Sequence, residues 1–321
     1  MNEKTWLLPI TTVCSLIIVL PIVAFQNSSN DNILQNSLDK DLHLPFIMKP
    51  PIIGTGILFG QQDGLNLYLY IMDEIGNNQQ NITPYGYNYP SASWSPDGMR
   101  ILFTATSDQS NTSEIFSMSP DGSGVQQLTF ESMNSFFPDW SPDGEHIVFT
   151  TSDHEESYVY IMKSDGSELT ELSSNNDTLT YDFDPDWSPD GSQVVFSRQY
   201  TQKSELFIVQ ADGTNQRQLT LNYVTDSITP QWSPDGTMIA FASNHLGNMD
   251  IYLMYPSGLV FSKLTDHPAN DWLPVWSPDG SHIAFSSDRD GDYEIYVLDL
   301  TTSDLVQLTH NSIKDYVSDW R

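Results

Sequence analysis

The chain has 321 residues, with 42 Asp and Glu against 12 Lys and Arg and a formal net charge of -30. That balance excludes a nucleic-acid binder, because affinity for phosphate backbones rests on clustered cations that displace counterions, and it suits a self-repelling surface with neutral or basic partners. Hydrophobic residues at 39% and aromatics at 12% exclude a wholly disordered chain, and the single cysteine, Cys14, excludes an internal disulfide or a thiolate metal cluster.

In chain order, Lys4 precedes an uncharged run from Trp6 to Phe25. Residues 1–25 read either as a cleaved signal peptide, given Pro9, Pro21 and the small Ala24, or as a retained membrane anchor, since the run is long enough to span a bilayer. With Lys4 on one side and acidic sequence on the other, both readings export the remainder to an extracellular or periplasmic space. Residues 6–25, if uncleaved, are then its only membrane contact. Residues 26–50 are rich in Asn, Ser and Asp up to Asp41 and are expected to form a flexible linker.

From residue 51 onward the sequence repeats. Trp94, Trp140, Trp187, Trp232 and Trp276 each open the pentapeptide WSPDG, and Trp320 continues the series at intervals of 46, 47, 45, 44 and 44 residues. A period near 45 marks one supersecondary unit stacked on its neighbours. Each period carries an apolar triplet (Ile101-Leu102-Phe103, Ile147-Val148-Phe149, Val194-Val195-Phe196, Ile239-Ala240-Phe241, Ile283-Ala284-Phe285), then an Ile-Tyr pair such as Ile251-Tyr252, then Leu-Thr as in Leu264-Thr265. Consecutive apolar residues in so short a run predict strands buried on both faces, and four such strands make one antiparallel sheet. In Ser-Pro-Asp-Gly, Pro presets φ, Asp accepts backbone N–H groups and Gly tolerates positive φ, so the repeated aspartates are expected to form turns. Radial stacking of such sheets is a β-propeller, here all-β and six-bladed over residues 51–321. Three strands near 57–60, 67–72 and 80–83 lack a Trp strand, so the C-terminal strand at 316–320 is expected to complete their blade and close the ring.

WSPDG, Ile-Ala-Phe, Asp/Glu-Ile-Tyr and Gln-Leu-Thr together resemble the TolB-like propeller repeat, a WD40-like pattern also called PD40. The resemblance implies a noncatalytic exported scaffold that needs no cofactor and binds a protein or envelope component, one with basic groups to suit the charge. It also supplies an alternative, because some TolB-like propellers are polysaccharide lyases with metal-binding histidines in the channel. That alternative is an extracellular carbohydrate-active enzyme with its site at the channel mouth. No Gly-x-Ser-x-Gly elbow or HExxH motif occurs in the sequence.

The SPDG turns and a second set of Gly turns lie at one end of the strands, and loops of varied length and composition lie at the other, where function is expected. Asp182, Asp271 and Asp315 stand five residues before a blade Trp, with Asp226 six before. Two readings are open. They accept hydrogen bonds from loop amides, or they form a carboxylate ring at the channel mouth that binds a basic group or a cation, for which oxygen-only ligands favour calcium. Trp272 and Tyr316, four before their blade Trp, are either inter-blade packing or part of that binding mouth. His154, His245, His267 and His310 fall in the same loops, and Asp288–Glu294 superficially resembles a calcium loop but is expected to be a hairpin.

Overall fold

The computed structural model describes residues 55–321 except 65, 85–86, 107–111, 131–133, 153–155, 175–179, 202 and 222–224, and not the side chains of 87–90 and 261. The expected export segment (1–25), the linker (26–50) and His154 lie outside the described residues.

The described residues form strands only, in a four-beat order. The first three are β1 (Ile57–Asp63), β2 (Asn66–Met72) and β3 (Gln80–Asn81). Then follow β4 (Tyr87–Trp94), β5 (Ile101–Thr106), β6 (Ser113–Met118) and β7 (Gln126–Gln127), and β8 (Asn134–Trp140), β9 (His146–Ser152), β10 (Ser157–Lys163) and β11 (Thr170–Glu171). The next eight are β12 (Tyr181–Trp187), β13 (Gln193–Gln199), β14 (Ser204–Gln210), β15 (Arg217–Gln218), β16 (Ser227–Trp232), β17 (Ile239–Ser243), β18 (Asp250–Met254) and β19 (Val260–Lys263). The chain ends with β20 (Asp271–Trp276), β21 (His282–Ser287), β22 (Glu294–Asp299), β23 (Leu305–Gln307) and β24 (Lys314–Trp320).

These strands make an all-β propeller. Four sheets have four strands each, in the orders β24-β1-β2-β3, β4-β5-β6-β7, β16-β17-β18-β19 and β20-β21-β22-β23. Within them, neighbouring strands pair antiparallel. The fifth sheet differs from the expected separate blades. β8–β11 and β12–β15 are each antiparallel, but one parallel pair, Ser157 with Tyr181, joins them into a single eight-stranded sheet. The reason is local: Ser157 N–H reaches Thr180 O at 3.4 Å and Ser157 Oγ donates to Asp182 O at 2.8 Å, so the start of β10 bonds across to the start of β12.

Closure follows the expected route. β24 pairs antiparallel with β1, Ile57 opposite Trp320 and Gln61 opposite Asp315, and the C-terminal Arg321 backbone exchanges hydrogen bonds with Gly56. The apolar triplets explain the core. Ile57 and Phe59 pack with Val275, Ala284 and Leu308 of the preceding sheet, whereas Leu58 between them packs with Trp94, Ile101 and Phe103 of the following one. A strand between two sheets thus buries both of its faces, and the period-2 alternation only selects which neighbour each residue meets. In every sheet the triplet Phe sits opposite the aromatic of the Ile-Tyr strand: Phe59–Tyr70, Phe103–Phe116, Phe149–Tyr160, Phe196–Phe207, Phe241–Tyr252 and Phe285–Tyr296, with ring centroids 5.3 to 6.4 Å apart. Each such pair adds about 0.5–1.5 kcal/mol beyond area burial.

The turns behave as their residues require. In the first SPDG turn, Asp97 Oδ1 accepts Ser95 Oγ–H (2.7 Å) and Met99 N–H (2.9 Å), and Gly98 N–H closes on Ser95 O (2.8 Å). Such bonds favour the ionised carboxylate, so Asp97, Asp143, Asp190, Asp235 and Asp279 all lie below the ordinary Asp range, Asp279 at about 2. The second Gly turns dock one sheet on the last. Gly166 has φ +88°, and a Cβ there would lie 2.5 Å from Leu128 O of the preceding sheet, so only glycine permits this approach.

Candidate functional site

At the loop end, one bonding pattern recurs and explains why an acid precedes the Ile-Tyr strand and why Leu-Thr follows it. Thr129 Oγ accepts the N–H of Ile115 at 2.9 Å and donates to Glu114 at 2.5 Å. Thr220 does the same between Leu206 and Glu205, and Thr265 between Ile251 and Asp250. The acids are fully buried. Further partners satisfy them: Thr112 Oγ on Glu114 (2.8 Å), Lys203 Nζ on Glu205 (2.8 Å) and Lys263 Nζ on Asp250 (3.0 Å).

The four carboxylates expected at a channel mouth are each held by nearby donors, one of which, Ser204 N–H on Asp226, comes from β14 of the preceding sheet. Asp182 is fully buried and takes a two-pronged contact from Arg198, Nε to Oδ1 at 2.6 Å and Nη2 to Oδ2 at 2.7 Å. Burial pushes its carboxyl up while the guanidinium pulls it down, and Arg198 itself sits over the Phe207 ring at 4.5 Å. Asp271, also fully buried, receives Arg289 Nη2 at 2.9 Å. Asp226 is half-buried and accepts Ser204 N–H (2.9 Å) and Asn244 Nδ2–H (3.0 Å). Asp315 is fully buried and accepts Gln61 Nε2–H (3.0 Å) and Asn311 Nδ2–H (2.7 Å). Burial raises the carboxyls of Asp226 and Asp315. Trp272 is half-buried, and Tyr316 packs its ring 5.5 Å from that of Tyr293. His245, His267 and His310 are exposed, and His267 Nδ1 accepts the N–H of Ala269 at 3.1 Å.

The carboxylates that sense one another stand elsewhere, one residue before the blade Trp. Asp139 Oδ2 accepts the N–H of Trp187 in the next unit (3.1 Å), Asp186 Oδ2 that of Trp232 (2.7 Å) and Asp319 Oδ2 that of Trp94 (2.7 Å), while Gln231 Oε1 does the same for Trp276 (2.8 Å). Each bond latches one inner strand to the next. Burial raises Asp139 to about 7 and Asp319 to about 6, and it raises Asp186 well above the ordinary range. Mutual repulsion adds to this, from Asp319 on Asp139 and from Asp139 and Asp319 on Asp186. Asp184 lies in a bulge at φ 50° with Oδ2 lacking a hydrogen-bond partner, and burial alone raises it to about 7. Sequence reasoning passed over this set. The signal was present as the Asp of Asp139-Trp140, Asp186-Trp187 and Asp319-Trp320, masked by Ser93, Gln231 and Val275 at the same position.

A family model for the TolB beta propeller domain, PD40, matches residues 54–227 and 214–321. The chain belongs to this family. No curated protein matches it. Among solved structures, this PD40 propeller resembles TolB from Acinetobacter baumannii (TM-score 0.67, 17% identity, covering 84% of this chain and 68% of that one). It also resembles a protein assigned as TolB in Agrobacterium tumefaciens (TM-score 0.63, 19% identity, 82% and 90% covered). An oligogalacturonate lyase from Vibrio parahaemolyticus is similar too (TM-score 0.55, 16% identity, 81% and 75% covered). At these identities the likeness shows the fold alone.

Proposed function

We infer that the protein is an exported, noncatalytic six-bladed propeller that binds a basic protein or envelope component through its variable loop end. Support for six blades comes from the Trp-bearing strands, since β24, β4, β8, β12, β16 and β20 each touch the next and β20 touches β24 again. The observation that carries the binding reading is the exposure of large apolar side chains at the loop end. Phe130 and Leu221, each directly after a Leu-Thr pair, are 74% and 79% exposed, and Leu246 in the β17–β18 hairpin is 67% exposed. Apolar anchors on a chain of net charge -30 suit a partner with its own apolar residues and a basic rim.

The test compares the protein with a Phe130→Ser/Leu221→Ser/Leu246→Ser variant on extracts of the host envelope. A component that the unaltered protein retains, that high salt releases and that the variant fails to retain is the expected result. Equal retention by both overturns the assignment of this end. Export is tested separately by fusing residues 1–50 to a reporter active only outside the cytoplasm, where a silent fusion counts against it.

A further inference from the structure

Acids recur at two places in the repeat, and the seam on which β24 closes the ring treats them differently from the seam before it. One place is directly before the Ile-Tyr pair, at Glu114, Glu205, Asp250 and Glu294, and the other is five residues before the blade Trp, at Asp182, Asp271 and Asp315. All of these are fully buried. Where the β16–β19 sheet meets the β20–β23 sheet, Asp271 raises Asp250 by its charge, and each acid has its own base: Lys263 Nζ stands 3.0 Å from Asp250 and Arg289 Nη2 2.9 Å from Asp271. Where the β20–β23 sheet meets β24, the pair is Glu294 and Asp315, and its donors are neutral. Asn311 gives its N–H to Glu294 Oε1 and its Nδ2–H to Asp315 Oδ2, both at 2.7 Å, and Gln61 Nε2–H reaches Asp315 Oδ1 at 3.0 Å. Thr309 bonds both acids.

The charged groups around this pair do not replace the missing base. Two residues before the acid, Thr112 and Lys203 donate to Glu114 and Glu205 at 2.8 Å, but the residue in that place here is Asp292. Gln61 on β1, opposite Asp315, and Ser287 on β21, opposite Glu294, do not titrate. The β21–β22 hairpin brings Asp288, Asp290 and Asp292 with one cation, Arg289, which Asp271 on β20 already takes. β22 adds Tyr293, packed 5.5 Å from Tyr316 of β24, and Lys314 and His310 are exposed. Ionised carboxylates only accept hydrogen bonds, yet Glu294 and Asp315 are bonded to each other, which requires a proton on one of them.

We propose that Glu294 and Asp315 form a proton-operated latch, in which one shared proton stands in for the missing base and holds residues 309–315 against β22. Asp315 N–H bonds Tyr293 O at 2.6 Å, so the segment and the start of β22 move apart only when this contact opens. With the proton gone, two buried carboxylates face each other, and outward movement of the segment lets water solvate them. Burial, with the charge of Asp315 added, raises Glu294 to about 7, and burial raises Asp315 as well. A raised folded value gives stabilisation that is complete below the ordinary carboxyl range and lost as pH rises through about 7. The latch is independent of the partner reading above.

Hydrogen exchange of the full-length protein at pH 6 and pH 8, corrected for the intrinsic pH dependence of amide exchange, tests the proposal. Peptides covering residues 309–317 should lose about tenfold in protection at pH 8, the fall expected when a group titrating near 7 gives up its proton. The counterpart segment 265–271, whose acids keep Lys263 and Arg289, should show no such fall. Two variants should abolish it: Glu294→Gln, whose amide can donate to Asp315, and Asp292→Lys, which puts a lysine where Lys203 stands beside Glu205. Equal protection of 309–317 at the two pH values overturns the latch. So does an equal fall in segment 265–271, which would make the loss global, or a tenfold fall that persists in either variant.

Discussion

Replacing Arg198 by Met isolates a buried, two-pronged charge pair. Arg198 is 4% exposed and Asp182 0%, and the guanidinium gives the carboxylate two short bonds and a third, at 3.1 Å, to Ser174 O. Met keeps most of the side-chain volume against Phe196 and Phe207 but leaves Asp182 buried without a counter-charge. Breaking one partner of such a pair costs about 3–5 kcal/mol, mostly as the penalty of the stranded ion rather than as lost attraction. For a body of this size, each kcal/mol moves the melting temperature by about 2–4 °C, so a fall of roughly 6–20 °C is expected. The sign of the pH dependence follows from the stranded acid. Without Arg198, burial holds the folded pKa of Asp182 above its unfolded value, so the variant recovers stability when the carboxyl is protonated and loses it as pH rises through the folded pKa. Urea unfolding near pH 5 and near pH 8 should therefore show the larger loss at the higher pH. Adding Asp182→Asn to the variant should restore a good part of the stability at the higher pH. A loss under about 1 kcal/mol, a pH-independent loss, or a double variant no better than the single one would refute the reasoning.

The wild-type protein should melt at a lower temperature near pH 8 than near pH 5, because raised folded values at Asp139 (about 7) and Asp319 (about 6) give stability that is present below the unfolded value and lost as pH rises through the folded one. Asp139→Asn, which can still accept the Trp187 N–H as Gln231 does for Trp276, should flatten that fall, and an unchanged slope would remove Asp139 from the cause. Below about pH 4 the direction reverses, since Asp279 and the other turn aspartates have lowered values and lose their bonds as pH falls. Gly166→Ala should cost about 2 kcal/mol or more, from the strained φ of +88° and the 2.5 Å approach to Leu128 O, and a neutral effect in denaturant unfolding would contradict the close docking of the two sheets. Removing residues 314–321 exposes the β24-facing edge of β1 and strips Val317 and Trp320 from the core, so the melt should fall sharply, and an unchanged melt would contradict closure through β24.

Much of the fold was legible because its causes are local and repeated. The apolar triplets, the SPDG turns and the missing Trp strand of the first sheet each state a structural demand within a few residues, and β24 meets the last of these by pairing with β1. The bond patterns between repeats were hidden. Arg198 stands eleven residues after Trp187 and Arg289 thirteen after Trp276, so no fixed offset from the repeat announces that both serve a buried Asp. The single parallel pair between β10 and β12 depends on one serine and on strands offset by two dozen residues, which no periodicity encodes.

The distribution of acids carries the same lesson further. Asp five residues before Trp admits two readings, a ring or acids held by local donors, and at that level Arg198, Arg289 and the amides of Gln61 and Asn311 supply such donors. One residue before Trp, the donor that each Asp side chain gains from the neighbouring unit among the described residues is a backbone N–H, and Asp139 and Asp186 are raised further by the acids beside them. A propeller repeated from one template therefore supplies its own controls. A residue that bonds as its equivalents do is explained by the fold, as Glu114 and Glu205 are. Glu294, with the same place and burial, bonds Thr309 as its equivalents bond their Thr, and where two of them have a lysine it shares a hydrogen bond with buried Asp315, so burial raises it to about 7.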